Sequence, residues 1–295
     1  MEILVTIVSY GTTQWDLLDR VLVEYRQMDH NVDVVLDLTE EREGGWPEPV
    51  IETRQFDTEL DSKINFQHRD LMANHAGEYD VYILSEDDIL ITQENIDAFV
   101  DETERLPDDE VTGFIRYERS DHNEHYHLID QHPQRRPFHP VDKHGRYRII
   151  QQPRRIIRGK EYFSLINLHQ GCWILTDNQF SKVIEEEAYH REPDRMKFRP
   201  HRTPGSVKHR PAWWRMAQIY GPLEAACSDI YTSCGFNHKV LPRDNIEEFL
   251  VHHLSNVYVG SDEFDTPYPL TLNQLEYVLD IDKPFIERFV YRFSH

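Results

Sequence analysis

"DVYILSEDDILIT", residues 80–92, is the stretch on which the reading of this chain turns. A short, largely apolar run, Val81 to Ser85, leads directly into Glu86-Asp87-Asp88, and apolar residues resume at Ile89-Leu90-Ile91. A continuous apolar run of this length reads as a buried strand, so the three acids stand at its carboxyl end. Crowded carboxylates repel one another unless a cation lies between them. A divalent ion held by one or two carboxylates together with substrate phosphates relieves that conflict. In extended backbone Glu86 and Asp88 point to one side and Asp87 to the other. The plainer alternative is a strand end with solvated acids, where Asp88 or Thr92 caps the helix that follows.

Working outward, the pattern alternates strand and helix. Ile3 to Val8 is a β-branched run ending at Ser9-Tyr10-Gly11. Trp15, Leu17, Leu18, Val21, Leu22 and Tyr25 follow at helical spacing. Val32 to Leu36 reads as a second strand closing at Asp37, and Val50 to Arg54 as a third, after a Gly-Gly-Trp-Pro loop. Helices are expected over Leu60–His75 and Asn95–Leu106, and a strand over Val111–Ile115. This order predicts an α/β fold with a doubly wound, mostly parallel central sheet, Rossmann-like in its first half, with helices on both faces. Ligands of such sheets sit at the carboxyl ends of the strands. Ser9-Tyr10, Asp37 and Glu86-Asp87-Asp88 are therefore expected along one edge.

The second half is less regular. Residues 117–148 form a His- and Arg-rich excursion, with strand-like runs returning at Tyr147–Gln151 and Cys172–Leu175. Phe180–Ala188, Trp213–Tyr220 and Leu223–Cys234 read as helices, Lys239–Leu241 as a strand, and His190–Pro211 as a Pro-broken basic loop. The expected organisation is a single domain over 1–295. Its first half spans 1–115, its second 116–260, and a helical tail, including Leu272–Leu279, spans 261–295.

The chain has 295 residues and a formal net charge of -21, which argues against nucleic-acid or anionic-membrane partners. The charge is uneven: residues 116–215 hold about 20 of the 32 Lys and Arg residues, against about 12 acids. Three cysteines, Cys172, Cys227 and Cys234, form no framework and read as reduced thiols. With no signal-like or membrane-spanning run, a cytoplasmic location is expected.

A strand ending in "ILSEDD", after a helix carrying "HRDLM" and an N-terminal "ILVTIVSY" strand, resembles the nucleotide-sugar-binding half of GT-A-type glycosyltransferases. The DXD-type motif of that family sits at this point. Here it reads Glu86-Asp87-Asp88, and its first position departs conservatively. The resemblance implies Mn²⁺ or Mg²⁺ on Asp88 and Glu86, with Asp87 close by, bound across the diphosphate of a nucleotide-sugar donor. It places Ser9, Tyr10 and Asp37 near the nucleoside. "GCWILTDNQFSKVI", Gly171 to Ile184, is similar to the strand and helix flanking the acceptor site. "LEAACSDIYTSCGF" resembles the helix that carries the catalytic base of inverting members, which makes Glu224 and Asp229 rival bases. "HHLSN" stands where many members complete the metal shell with a histidine, so one of His252 and His253 is expected to serve. The implied activity is sugar transfer to a glycan or other hydroxyl acceptor, with inversion favoured by the acids on that helix. A non-catalytic nucleotide-sugar or glycan binder of the same fold is the alternative. So is a metal-dependent nucleotidyltransferase, although Ser9-Tyr10-Gly11-Thr12-Thr13 carries no cation of the kind such enzymes use.

Other constellations have two readings each. Arg69 can pair with a diphosphate oxygen through its planar fork, or with Asp70 or Glu59 at the surface. His122, His125 and His127 lack the partners and spacing of a zinc site and read as part of a polar loop. Arg135-Arg136, Arg154-Arg155 and Arg158 suit an anionic acceptor, or hold their segment to the acidic body. Trp213-Trp214 suits sugar stacking or core packing.

Overall fold

The computed structural model describes residues 1–119, 126–129, 147–148, 154–164, 168–190, 222–259, 270–271 and 289–290. The readings for His122, His125, His132, His139, His144, Arg135, Arg136, the loop over 191–211, Trp213-Trp214 with its helix, and 272–279 lie outside the described residues.

The central sheet is built from β1 (Glu2–Ser9), β2 (Asn31–Leu38), β3 (Val50–Gln55) and β4 (Val81–Glu86), all parallel, in the order β4-β1-β2-β3. Alternation along β1 sends Ile3, Val5 and Ile7 into one core and Leu4 and Val8 into the other. The first core is covered by α1 (Trp15–Gln27) through Leu18, Val21, Leu22 and Tyr25, and by α3 (Gln93–Thr103) through Ile96 and Phe99. The second receives Met72 of α2 (His68–Asn74), then Phe180 and Val183 of α4 (Asp177–Ile184) and Cys227, Ile230 and Tyr231 of α5 (Pro222–Ser233). Helices therefore line both faces, and the two faces of the sheet carry separate apolar cores.

Two short strands come next along the chain, β5 (Ile89–Leu90) and β6 (Glu110–Val111), then β7 (Ile115–Arg119) and β8 (Tyr126–Leu128). After β9 (Tyr147–Arg148) come β10 (Arg154–Ile157), β11 (Lys160–Ser164) and β12 (Cys172–Thr176). The last are β13 (His238–Pro242), β14 (Leu250–His253), β15 (Leu270–Thr271) and β16 (Phe289–Val290). β12 joins the central sheet beside β4 and runs antiparallel to it, Cys172 opposite Ser85 and Thr176 opposite Val81. A second sheet has the order β10-β11-β13-β6, a third β15-β8-β7-β14-β5, and β9 pairs with β16. The chain is α/β with mixed sheets: antiparallel pairs recur in the second and third sheets and at β12.

Two expected elements divide. The strand expected over 111–115 becomes β6 and β7, in different sheets, because the chain crosses over at Thr112-Gly113-Phe114. The crossover is tight: a side chain at Gly113 would begin 2.7 Å from the Cε of Lys239. The helix expected over 60–75 becomes a 3-10 segment, Thr58–Phe66, followed by α2.

Candidate metal centre

Strand register assembles the edge on which the acids lie. Val8 of β1 lies opposite Asp37 on one side and Glu86 on the other, so Ser9, Asp37 and Glu86 end their strands together. The chain turns at Asp87-Asp88 and re-enters as β5, which pairs antiparallel with β14, Ile89 opposite His253. The Leu254 amide donates to the Asp88 carbonyl at 2.8 Å and fixes that turn against the end of β14. Capping of α3 falls to Thr92, whose hydroxyl accepts from the Asn95 amide while the Asn95 side chain accepts from the Thr92 amide. Asp88 is therefore not a helix cap.

Donor atoms of Glu86, Asp88 and His253 all lie within 4.8 Å of one another. The His253 Nε2 stands 3.0 Å from Asp88 Oδ2, and its Nδ1 donates to Glu118 Oε1 at 2.6 Å. Glu118 is fully buried on β7 and also accepts from the amides of Tyr258 and Val259, at 3.0 and 2.7 Å. These bonds hold both the carboxylate and the ring orientation, leaving Nε2 directed at the acids. The Ser255 hydroxyl lies 3.0 Å from the same nitrogen. Arg116, two residues before Glu118 on the same face of β7, places Nη1 3.4 Å from Glu86 Oε2.

Electrostatics follow from crowding in a dry place. Burial pushes the Glu86 carboxyl up to about 7, against the pull of Arg116 and with a further push from Asp88. Burial likewise pushes Asp87 up to about 7, opposed by the Ser9 hydroxyl. Burial would raise Asp88 too, but its hydrogen bond and charge interaction with His253 hold it below the ordinary value. For His253, burial favours the neutral ring, yet Asp88 and Glu118 outweigh it and raise the imidazole to about 9.

These residues fit a divalent cation. Glu86 Oε1 is buried and has no hydrogen-bond partner among the described residues. Two carboxylates and an imidazole nitrogen make a mixed oxygen and nitrogen set of the kind that can hold a divalent ion. A histidine whose other nitrogen is held by a carboxylate is the usual setting of an imidazole ligand. Asp87, expected on the opposite side, is not part of the set.

The other anticipated residues are placed as follows. His252 points away from the acids: its ring stacks on Tyr117 with centroids 4.8 Å apart, and burial lowers it to about 4. Asp37 accepts two hydrogen bonds from Arg54, both at 2.7 Å, and so is held within the sheet. Ser9 is buried, whereas Tyr10 is 54% exposed beside the same edge. Arg69 and Asp229 are joined to each other, Nη2 lying 2.8 Å from both carboxylate oxygens, and Arg69 Nη1 donates to the Tyr189 carbonyl at 2.7 Å. Arg69 is thus paired with neither Asp70 nor Glu59. Glu224 lies on α5, with its side chain outside the described residues. Arg155 pairs with Glu110 at 2.6 Å, which ties that basic residue to the body of the protein.

Glu118 and Arg116 were not anticipated. Their signal is the two-residue period of "IRYER", which puts both on one face while Tyr117 and Arg119 take the other. Grooves of about 450 and 370 Å³ open around Arg42, Gly45 and Trp46, and their walls include neither Glu86 nor Asp88. The Arg42 guanidinium lies 4.4 Å over the Trp46 ring and is forked onto Asp19. No described helix is long and apolar enough to cross a membrane. No protein-family model matches the chain, and comparison with curated proteins finds no significant relative.

Proposed function

We propose that the protein is a metal-dependent glycosyltransferase of GT-A type, acting on a nucleotide-diphospho-sugar and a hydroxyl-bearing acceptor such as a glycan. The observation that carries this reading is the meeting of Glu86, Asp88 and His253 where parallel strands end. The parallel order β4-β1-β2-β3 and the helices on both faces support the finer fold reading, a doubly wound nucleotide-binding frame. Glu86, Asp88 and His253 would hold Mn²⁺ or Mg²⁺. The ion, when bound, neutralises charge growing on the leaving nucleoside diphosphate. Glu118 accepts from Nδ1 and so aims Nε2 at the acids, where a bound cation would displace the proton that Nε2 shares with Asp88. Arg116, buried beside Glu86, adds a fixed positive charge next to the diphosphate position. The exposed Tyr10 ring offers a stacking face for the nucleobase.

If the reaction inverts configuration, Glu224 takes the acceptor proton, because Asp229 is engaged by Arg69. That engagement also favours a second reading, a binder of nucleotide-sugar that does not turn it over.

The test is a thermal-shift panel of nucleoside diphosphates and nucleotide-sugars with and without Mn²⁺. One nucleoside diphosphate should raise the melting temperature only when the metal is present. Asp88→Ala should remove that dependence with the fold intact. A metal-linked shift surviving in the variant, or no shift with any nucleotide, overturns the reading. Tight binding of an intact nucleotide-sugar without turnover selects the non-catalytic alternative.

A further inference from the structure

Glu86 belongs to a second group of metal-type donors. Its carboxylate, His169 and Cys227 also place one ligand atom each within 4.8 Å of one another. Three separate parts of the chain supply them: the end of β4, the segment just before β12, and α5. The antiparallel course of β12 makes this possible. With Cys172 opposite Ser85, the residues entering β12 arrive at the carboxyl end of β4. Gly171 seals the approach at φ +65, with its carbonyl accepting from the Glu86 amide at 2.9 Å. His169 and Cys227 are 5% and 2% exposed, so bulk water reaches neither freely.

We propose that Glu86, His169 and Cys227 form a second cation site, selective for a thiophilic divalent ion of the Zn²⁺ class and sharing Glu86 with the first. The donor chemistry separates the two. Oxygen-rich sets suit Mg²⁺ and Mn²⁺, whereas a thiol beside an imidazole selects zinc-like ions. Tetrahedral zinc with bonds of about 2.0–2.3 Å sets its ligands roughly 3.5 Å apart, so closure from separations within 4.8 Å asks for side-chain shifts of at most about 1 Å. On binding, the Cys227 thiol forms its bond to the ion and gives up its proton to solvent, which balances the step. Glu86 carries a buried oxygen without a hydrogen bond among the described residues, and it belongs to both donor groups.

The experiment uses the intact, reduced, metal-free protein titrated with Co²⁺, a spectroscopic stand-in for zinc. A thiolate ligand produces an intense near-ultraviolet charge-transfer band that oxygen and nitrogen ligands do not. The band should appear in wild type, vanish in Cys227→Ala, and need at least about tenfold more Co²⁺ in His169→Gln. It should persist in Cys172→Ala and in Asp88→Asn. Circular dichroism verifies that each variant is folded. Should Cys227→Ala fail to fold, peptide-level alkylation of wild type replaces it: Co²⁺ should slow labelling of Cys227 by at least about tenfold, and leave Cys234 unchanged. No band in folded wild type, a band that survives Cys227→Ala, undiminished labelling of Cys227, or loss of the band in Asp88→Asn each overturns the proposal. The outcome is separable from the transferase reading, because Mn²⁺ binding at Asp88 and His253 needs no thiolate.

Discussion

His253 Nε2 lies 3.0 Å from Asp88 Oδ2, while the neighbouring His252 turns its ring onto Tyr117. Strand alternation separates adjacent histidines, so the two should behave differently towards metal. His253→Ala should weaken Mn²⁺ binding more than about 100-fold, since even losing an outer partner of a ligand costs about 10- to 100-fold. His252→Ala should leave the Mn²⁺ affinity within about twofold. Titration followed by electron paramagnetic resonance of free Mn²⁺ measures both, and equal losses would refute the assignment.

Glu118 touches no proposed substrate, yet it fixes the His253 ring through Nδ1. Glu118→Gln should lower Mn²⁺ affinity by about 10- to 100-fold. It should also shift the nitrogen chemical shifts of His253, which report its tautomer. A merely structural role would change the melting temperature and leave those resonances in place.

Gly171 adopts φ +65, and a Cβ there would lie 3.0 Å from Ile89 and 3.1 Å from Glu86 Oε2. Gly171→Ala is expected to cost about 1–3 kcal/mol in urea denaturation, through strain at positive φ and displacement of those neighbours. Mn²⁺ affinity should fall as well, because Glu86 must move.

The Arg69–Asp229 pair supplies a test that separates structure from catalysis. Both side chains are about nine-tenths buried, at 8% and 10% exposure. Removing one partner leaves an uncompensated buried charge, so Asp229→Ala should destabilise by about 3–5 kcal/mol. If Asp229→Ala unfolds like wild type and only turnover is lost, Asp229 is the base after all and Glu224 is not needed.

Asp37 predicts a pH dependence with a definite sign. Burial raises its carboxyl from 3.8 to about 6, although Arg54 pulls the other way. The native state therefore holds a proton that the unfolded chain releases, and stability contributed by Asp37 falls as pH rises from about 4 to about 6. Across that window wild type should lose stability relative to Asp37→Asn, and above pH 7 the difference should be flat. Urea denaturation from pH 4 to 8 gives both curves, and a rising difference would contradict the burial argument.

What the sequence reveals depends on how local the signal is. Strands β1, β2 and β4 are legible because fully buried parallel strands need long apolar, β-branched runs. The acids at residues 86–88 stand out because nothing apolar explains them, and His253 could be paired with them only through the family resemblance. Glu118 is silent in sequence: one acid in "IRYER" reads as a solvated side chain until Tyr258, Val259 and His253 close over it. The Arg69–Asp229 pair is equally hidden, its members 160 positions apart. The antiparallel direction of β12 has no local mark either, since "CWILT" is apolar whichever way it runs.

β14 enters the third sheet between β5 and β7, although both of those strands precede it by a long stretch of chain. During synthesis the edges of β5 and β7 that pair with β14 are left to water until the ribosome has delivered residues 250–253. Such waiting edges invite pairing with other chains. The nascent polypeptide is thus expected to lean on chaperones until its late strand slots home.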